Sequence, residues 1–472
     1  MTKLTRALVD DVAGYFDTWL AFRQQHDRIP GIQAAVLYED DLVLSSAYGQ
    51  ADVETATALT PRHLFRIASH SKTFTATAVL QLVEQGSLRL DDTAGQWLPF
   101  LAESPVGAVT VRELLAHGGG VIRDGHDGDH WQLFRAFPDE TGLRAIGIDG
   151  ADVLPANERF KYSNVGYALL GMIIAAAADQ PYNDYVREQI VERLGLADTG
   201  PEYDLGRASD YATGYSALAY SDRRIPIEHI DTGAMASATG FYSTASDMVH
   251  YAAGHFHGDE QLITDASKRK LQRTEWTIGR EGAYGLGFDI GKVGERRLLG
   301  HGGGYPGHIT NTKFDPVDQL AVSVLTNAID GLAGLYAMGF MRLVELALKP
   351  ADPPTGGADL DLDRFCGRFA NLWGVLDVVR LGDRLVVLSP TADDPTDEPM
   401  SLTVIDASTL KMTGGEDVGF ASPGELLTYT FGDSGVESVR AGSGTTGYPF
   451  DRFAAAAARR QDRVTIGDPL TP

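Results

Sequence analysis

Ser69-His70-Ser71-Lys72 begins a helical pattern that runs from Ser69 to Gln85 and stops before Gly86. Apolar residues recur on one face of this predicted helix, and glycine is common just beyond a helix C-terminus. Because positions i and i+3 share a helix face, we expect the amine of Lys72 to reach the hydroxyl of Ser69. A serine becomes a good nucleophile only when a neighbouring base takes its proton. An isolated match of this kind is more often a capping serine followed by a solvated lysine.

A second motif, Tyr162-Ser163-Asn164, directly precedes an apolar helical pattern that starts at Val165. Residues i and i+2 of an extended segment point the same way. Tyr162 is therefore predicted to offer a phenol or phenolate to the serine, while Asn164 hydrogen-bonds a substrate amide. The alternative is an ordinary helix-entry turn in which Asn164 is the N-cap.

A third motif, His301-Gly302-Gly303-Gly304, follows a strand-like run. Glycines let a substrate backbone approach a strand closely. A free N–H near Gly304 is predicted to form an oxyanion hole with the N–H of Ser69 at its helix N-terminus. The alternative is a glycine-rich hairpin turn with an incidental histidine.

In this order, the three motifs resemble those of the serine penicillin-recognising family, which includes class C β-lactamases, D-Ala-D-Ala carboxypeptidases, D-aminopeptidases and related esterases. The resemblance covers roughly residues 30 to 345 and includes stretches outside the motifs. These stretches are Phe65-Arg66-Ile67-Ala68, Gly86 to Asp92, Val111 to His117, Gly240 to Met248 and Tyr284 to Phe288.

The resemblance implies an acyl-enzyme on Ser69, with Lys72 and Tyr162 moving its proton. It further implies a substrate-binding role for Asn164, Gly303 and Gly304, an oxyanion hole formed by Ser69 and Gly304, and a place for His301 among the catalytic residues. His301 would line the leaving-group or carboxylate side of the site. No metal and no cofactor is implied.

His301 stands where β-lactamases and carboxypeptidases carry the lysine of a K-T-G motif. With a histidine at this position, the third motif resembles that of D-aminopeptidases, of D-peptide or amide hydrolases, and of the penicillin-binding-protein-type thioesterases that cyclise nonribosomal peptides. An imidazole that is near-neutral at pH 7 suits a substrate carboxylate less well than a fixed lysine charge, which disfavours β-lactamase activity.

Three functions therefore compete. The first is a serine hydrolase or acyltransferase acting on peptides, amides or esters, with D-amino-acid-containing peptides preferred. The second is a peptide cyclase, in which an amine resolves the acyl-enzyme and the partner is a carrier-bound or thioester-activated peptide. The third is an inactive binding protein, which the joint presence of Ser69, Lys72 and Tyr162 argues against.

The predicted fold class is α+β: one antiparallel sheet built from both ends of the first 350 residues, flanked by helices, with an inserted helical region. The predicted domains are a β-lactamase-like domain at 1–349, a linker at 350–358, a C-terminal β-barrel at 359–458 and a disordered tail at 459–472. The barrel resembles, weakly, the lipocalin-like domain of several peptide-acting relatives, on the strength of Arg364 to Phe369. Within it, Gly444 to Tyr448 is predicted to be a flexible loop whose Tyr448 contacts the cleft.

Composition limits the remaining roles. A formal net charge of −24 at pH 7 disfavours nucleic-acid and anionic-membrane partners. Cys366 is the single cysteine, which excludes an intramolecular disulfide and a four-cysteine zinc site. The acidic, aromatic stretch Asp124 to Trp131 lacks regular metal-ligand spacing and is predicted to be a solvated loop bordering the cleft. Adjacent acids interrupt the first apolar stretch, so a cytoplasmic location is expected.

Overall fold

A computed structural model describes residues 3–280, 282–349, 360–413, 423–433, 435–442, 444–467 and 470–472. The chain forms two compact units: a larger unit, Asp27–Ala337, and a barrel unit made of Met1–His26 with Met338–Pro472. The N-terminal residues thus group with the C-terminal region, which the sequence did not indicate. The predicted linker at 350–358 lies outside the described residues.

The strands of the larger unit belong to one main sheet and two short pairs. In chain order they are β1 (Gly31–Tyr38), β2 (Asp41–Asp52), β3 (Thr57–Ala58), β4 (Phe65–Arg66), β5 (Gly214–Tyr215), β6 (Pro226–Ile227), β7 (Tyr242–Ser243), β8 (Trp276–Ile278), β9 (Gly282–Tyr284), β10 (Asp289–Val293), β11 (Arg296–Tyr305), β12 (His308–Asp315) and β13 (Leu320–Thr326).

The main sheet has nine described strands in the order β3-β2-β1-β13-β12-β11-β10-β9-β8, and its strands pair antiparallel. Strands β1 and β13, from opposite ends of the unit, pair in the interior of the sheet, and every residue of both is buried. The prediction of one sheet built from both ends is confirmed. A two-residue turn joins β1 to β2, with Glu39 at a φ of 54°.

The helices of the described residues are α1 (Arg6–His26), α2 (Ser71–Glu84), α3 (Ala94–Trp97), α4 (Val111–Leu115), α5 (Glu140–Ile148), α6 (Asn164–Ala178), α7 (Tyr182–Val186), α8 (Ala236–Thr239), α9 (Ala245–Ala253), α10 (Asp265–Leu271), α11 (Ala333–Leu348) and α12 (Phe450–Arg459). Nine of these described helices, α2 to α10, lie in the chain between β3 and β8. In the described part of the chain, none of the helices combines the length and the apolar character needed to cross a bilayer.

Helix α2 lies at the centre of the larger unit, and residues 71 to 82 are all buried. It ends as predicted, with Gln85 as C-cap and Gly86 at a φ of 76° just beyond. Helix α6 is apolar on every side, as expected of a helix surrounded by protein. Helix α2 packs against α6 and α8, which also pack against each other. Segments that are far apart in the sequence therefore meet near the N-terminus of α2.

The barrel unit contains a closed barrel whose described strands follow one another in chain order. They are β14 (Gly367–Asn371), β15 (Gly374–Leu381), β16 (Arg384–Leu388), β17 (Met400–Asp406), β18 (Thr409–Thr413), β19 (Leu426–Gly432), β20 (Gly435–Ala441) and β21 (Thr445–Pro449). The predicted C-terminal β-barrel is confirmed as a fold. The predicted loop Gly444 to Tyr448 is wrong, because residues 445 to 448 belong to β21 and pair with β14 and β20.

Helix α1 packs within the barrel unit. The hydroxyl of Tyr15 donates a 3.0 Å hydrogen bond to the buried carboxylate of Asp377. The indole N–H of Trp19 donates to the backbone carbonyl of Pro390 at 3.0 Å. These long-range bonds explain why the N-terminal residues belong to this unit.

Candidate active site

Ser69 lies in a single 3₁₀ turn, Ala68–His70, between β4 and α2. Ala68, the residue before it, has a φ of 47°, a left-handed conformation that costs a non-glycine residue about 1 kcal/mol or more. The turn is held by a hydrogen bond from the N–H of Ile67 to Phe241 O and by one from Ser71 Oγ to Ala68 O. This strained, well-anchored backbone presents Ser69 as a partly exposed side chain above a buried helix.

The amine of Lys72 is buried beneath Ser69. Its Nζ lies 3.1 Å from Ser69 Oγ, 2.7 Å from Asn164 Oδ1 and 2.8 Å from the carbonyl oxygen of Ala238. All three partners are uncharged. Burial lowers the pKa of Lys72 well below its ordinary value, an effect that the negative charge of Asp124 partly offsets. The predicted contact between Lys72 and Ser69 is therefore present, and the alternative of a solvated lysine is wrong.

Tyr162 approaches Ser69 from the other side. Its hydroxyl donates a 2.9 Å hydrogen bond to Ser69 Oγ, and Lys72 Nζ lies 4.8 Å from the centre of its ring. Burial raises the pKa of Tyr162, so the resting side chain is a phenol and not a phenolate. Ser69 Oγ thus lies between two groups that are both able to exchange a proton with it.

Residues 117 to 124 hold the segment that carries Tyr162 and Asn164. The carbonyl of His117 accepts from the N–H of Lys161 at 2.8 Å, and the carbonyl of Arg123 accepts from the N–H of Asn164 at 2.9 Å. Ser163 Oγ donates to the carbonyl of Ile122 at 2.7 Å and accepts from the N–H of Gly166 at 2.8 Å. Ser163 is therefore the N-cap of α6, and the predicted alternative of Asn164 as N-cap is wrong.

Asn164 bridges Lys72 to an acidic side chain. Its Oδ1 accepts from Lys72, and its Nδ2 donates to Asp124 Oδ1 at 2.6 Å. The predicted hydrogen bond from Asn164 to a substrate amide therefore competes with two protein contacts. Asp124 was assigned to a solvated loop because no spacing marks it, and only its contacts in the fold identify it. Among the described residues, no group of three or more His, Cys, Asp or Glu side chains is arranged to hold a metal ion.

His117 is a second residue of the site that the sequence analysis did not identify as such. It is buried at a φ of 59°, and its ring lies 4.3 Å from that of Tyr162 and 5.0 Å from that of Tyr284. Its Nδ1 accepts from the N–H of Ser163 at 3.1 Å. Burial and the nearby Lys72 lower the pKa of His117, which keeps the imidazole neutral against Tyr162. The matching stretch Val111 to His117 was the only signal available.

His301 lies inside β11, and the glycine run that follows it belongs to the same strand. Its Nε2 lies 3.2 Å from the hydroxyl of Tyr284, and its Nδ1 lies 2.6 Å from the carbonyl of Gly302. Burial lowers the pKa of His301, so the ring is neutral at pH 7. The alternative of a glycine-rich hairpin turn at 301–304 is wrong, because the turn to β12 comes later, at Pro306-Gly307.

The register of β11 and β12 fixes where the glycine amides point. The two-residue turn makes Tyr305 and His308 a hydrogen-bonded pair, so Gly304 and Ile309, the next pair, form no ladder bonds with each other. The N–H of Gly304 consequently faces the other edge of β11, where β10 has already ended at its pairing with Gly300. This is the free amide that the oxyanion prediction requires.

Gly303 lies against the turn that carries Ser69. A Cβ at Gly303 would be 2.1 Å from the carbonyl oxygen of Ile67, whereas one at Gly304 would meet only Ile309 Cδ1, at 3.6 Å. Gly303 therefore sets the close approach of β11 to the turn, and Gly304 faces open space. Tyr448 lies in β21 of the barrel unit, and its contact with the cleft stays a prediction.

A known protein family and several known proteins are similar to this chain. The Beta-lactamase family model matches residues 16–334. Penicillin-binding protein 4* of Bacillus subtilis is 29% identical over 295 residues, which cover 57% of this chain and 62% of that protein. The match thus spans less than two thirds of that relative's length.

Two solved structures share the fold. The crystal structure of SurE superposes with a TM-score of 0.60 at 24% identity, covering 94% of this chain and 99% of that one. D-amino acid amidase from Ochrobactrum anthropi, complexed with L-phenylalanine amide, superposes with a TM-score of 0.60 at 24% identity, covering 72% of this chain and 99% of that one. Because the family model covers more than half of the chain, including all three motifs, this protein belongs to the Beta-lactamase family.

Proposed function

We propose that this protein is a serine hydrolase or acyltransferase that forms an acyl-enzyme on Ser69 with peptide, amide or ester substrates. The observation that carries the proposal is the buried Lys72 amine, 3.1 Å from Ser69 Oγ and bonded only to neutral partners. A buried amine in such surroundings favours its uncharged form, which is the form that accepts a proton.

The hydrogen-bond geometry directs that base at the serine. A neutral amine has two N–H bonds and one lone pair. Asn164 Oδ1 and the carbonyl of Ala238 are acceptors only, so each takes one N–H of the neutral amine. The lone pair is then left for the third neighbour, the hydroxyl of Ser69.

Acylation follows from this arrangement. The Ser69 oxygen attacks the substrate carbonyl carbon as its proton passes to Lys72, and the carbonyl oxygen becomes an oxyanion that the N–H groups of Ser69 and Gly304 stabilise. The bond to the leaving group then breaks as the oxyanion collapses. The phenol of Tyr162 gives its proton to the leaving nitrogen or oxygen, and the proton that Lys72 took from Ser69 then restores the phenol.

We further propose that the acyl donor is a peptide, amide or ester containing a D-amino acid. A neutral His301 in place of a fixed lysine charge favours substrates without a carboxylate at that position. The shared fold with the D-amino acid amidase supports this choice of class. We therefore expect little hydrolysis of β-lactams. The cytoplasmic location stays a prediction.

The acceptor distinguishes two versions of the function. Water as acceptor gives a hydrolase, and an amine of the same peptide gives a cyclase acting on a thioester-activated donor. Both versions share the Ser69 acyl-enzyme, so one experiment tests the common step and a second the acceptor.

Intact-mass spectrometry after rapid mixing with paired D- and L-aminoacyl and peptidyl esters and thioesters tests the common step. We expect a mass increase equal to the acyl group, larger for the D-series, and no increase for Ser69→Ala. An adduct that persists in Ser69→Ala would remove Ser69 from the nucleophile role. Product analysis with a peptide thioester bearing a free N-terminal amine then separates hydrolysis from cyclisation.

A further inference from the structure

Asp124 lies one side chain away from the proposed base. Its Oδ1 accepts from Asn164 Nδ2 at 2.6 Å and from the indole N–H of Trp131 at 2.9 Å. Its Oδ2 lies 3.1 Å from Nε of Arg123, and only 15% of its side chain is exposed. The carboxylate is thus held from three directions and has no contact with Ser69.

These contacts determine which way the amide of Asn164 faces. A carboxylate only accepts hydrogen bonds, so Asp124 requires the Nδ2 side of the amide, and Oδ1 is left to accept an N–H of Lys72 in either charge state of the amine. With Asp124 on one side and Lys72 on the other, a single orientation satisfies both, with Nδ2 toward Asp124 and Oδ1 toward Lys72. Without the carboxylate, nothing else among these contacts would prevent Asn164 from turning its NH₂ group toward Lys72.

The orientation of Asn164 matters for the chemistry, because the lone pair of neutral Lys72 faces Ser69 only while two carbonyl-type acceptors take its N–H bonds. We infer that Asp124, fixed by Trp131, is a positioning residue that orients Asn164 and thereby aims Lys72 at Ser69. This inference rests on the proposed function and adds a residue to it.

Asp124 also acts on Lys72 through its charge. The charged and titratable groups around the amine are Asp124 and Arg123 from the loop after α4, Asp289 of β10, His301 of β11, His117, and the phenols Tyr162 and Tyr167. The Asp124 carboxylate raises the pKa of Lys72, so removing its charge lowers that pKa and moves the acid limb of the acylation rate to lower pH.

Three variants separate orientation from charge. Asp124→Asn keeps an oxygen that accepts from Asn164 and Trp131 but removes the charge, and Asp124→Ala removes both. Asp127→Ala is the matched control, because its carboxylate belongs to the same loop and pairs with Arg135 instead. The acylation rate of each variant is measured from pH 5 to 9 by intact mass with an activated D-aminoacyl ester.

We expect Asp124→Ala to lower the acylation rate by about 10²-fold with little change in substrate binding, the size of a small misplacement at a reacting centre. Asp124→Asn should retain most of the rate, with its acid limb shifted to lower pH. Asp127→Ala should match the native protein. If Asp124 had a merely structural role, Asp124→Asn would lower the acylation rate at every pH without moving the acid limb of the pH profile.

An Asp124→Ala variant that acylates as fast as the native protein would overturn the inference. Should Asp124→Ala fail to fold, Trp131→Phe, which removes one of the hydrogen bonds that hold Asp124 Oδ1, takes its place and should also slow acylation; an unchanged acylation rate would overturn the inference. Failure of the proposed function gives a different result, namely acylation of Ser69→Ala.

Discussion

Two lysines of this protein, Lys72 and Lys268, have fully buried amines, and their surroundings give them different roles. The amine of Lys268 donates to the carbonyls of Phe256 and Asp259 and lies 3.8 Å from the carboxylate of Asp265. Burial lowers the pKa of Lys268, but the neighbouring acids Asp259, Asp265 and Glu260 oppose the shift. Lys72 has neutral hydrogen-bond partners, one of them a hydroxyl that is able to lose a proton.

Lys72→Met and Lys268→Met test this contrast. Lys72→Met should slow acylation by about 10²–10⁴-fold, the scale of a lost general base, while the fold persists. Lys268→Met should mainly lower the free energy of unfolding, because it removes two hydrogen bonds from the buried amine to backbone carbonyls. Acylation rates and urea unfolding midpoints of both variants provide the measurement. Equal losses of rate in the two variants would contradict the assignment of Lys72 as the base.

The neutral His301 makes a prediction about substrate choice. His301→Lys adds a positive charge beside the Tyr284 hydroxyl and should raise kcat/KM for substrates with a free carboxylate relative to their amide-capped partners. Tyr284→Phe, which removes only the hydroxyl that contacts His301, is the control and should leave that ratio unchanged. Paired steady-state kinetics measure the ratio. If His301→Lys leaves it at the native value, His301 does not face the carboxylate side of the site.

At the scale of single residues, the sequence predicts contacts between side chains that lie at a regular spacing along one element. Ser69 and Lys72 are three residues apart on a helix, so their contact follows from helix geometry. Tyr162 and Asn164 are two residues apart at the start of a helix, and the spacing of an extended segment predicts that they face the same way. Asp124 acts through a contact 40 residues away in sequence, and no local pattern specifies such a contact.

Strand β11 shows why its glycine run is not a turn. Glycine usually weakens a strand, but it is favoured where another backbone approaches closely. Here the carbonyl of Ile67, two residues before Ser69, occupies the space that a Cβ of Gly303 would need. The sequence indicated a close approach but not that the partner was the nucleophile's own turn, because β11 and α2 are more than 200 residues apart.

Gly303→Ala and Gly304→Ala should therefore behave differently although they are neighbours. The Cβ of Gly303→Ala would lie 2.1 Å from Ile67 O and 2.4 Å from Thr310 Oγ1, so β11 must move away from Ser69. We expect a lower unfolding free energy and about 10²-fold slower acylation. Gly304→Ala has its nearest contact at 3.6 Å and keeps its N–H, so it should stay near native in both respects. If Gly304→Ala caused the larger losses of stability and rate, the close contacts would lie at Gly304 and not at Gly303.

Helix α12 is one of the elements that the sequence did not indicate. Residues 454 to 458 are consecutive alanines, which have the highest helix propensity, but they follow a predicted loop at Gly444 to Tyr448 and precede a predicted disordered tail. The alternation that marks strands gave no reason to expect a helix there. Alternation does mark β19, where Leu427 and Tyr429 are buried between exposed neighbours.

At the scale of the whole molecule, the order of the sheet was predictable and the grouping of α1 was not. Hydrophobic strands near both ends of the first 350 residues need one another to bury their faces, which leads to the pairing of β1 with β13. The amphipathic pattern of α1 shows that it has a buried face without saying what covers it. Single long-range bonds such as Tyr15 to Asp377 decide that, and no pattern encodes them.

The larger unit also contains several buried histidines, and this makes a prediction about acid stability. Of the 12 histidines, His70, His117, His130, His255, His301 and His308 are buried. Burial lowers the pKa of His70 and of His255 to about 3, well below the value of about 6.5 in an unfolded chain. Between these pH values the unfolded chain binds protons that the folded protein does not. The free energy of unfolding therefore falls as the pH is lowered through this window, by about 1.4 kcal/mol per pH unit for each such histidine.

His255 isolates one of these contributions. Its ring contacts those of Tyr251, Phe288 and Phe314, so His255→Phe places an aromatic ring among aromatic rings and removes the titrating group. Urea unfolding at pH 7, 6, 5 and 4 should show a weaker pH dependence for His255→Phe than for the native protein, by about one proton or 1.4 kcal/mol per pH unit below pH 6. The carboxylates titrate alike in both proteins and cancel in the difference. His250→Gln, at an exposed position of α9, is the control and should keep the native slope. If His255→Phe has the native slope too, the ring of His255 takes up its proton within the folded protein, and burial does not keep it neutral.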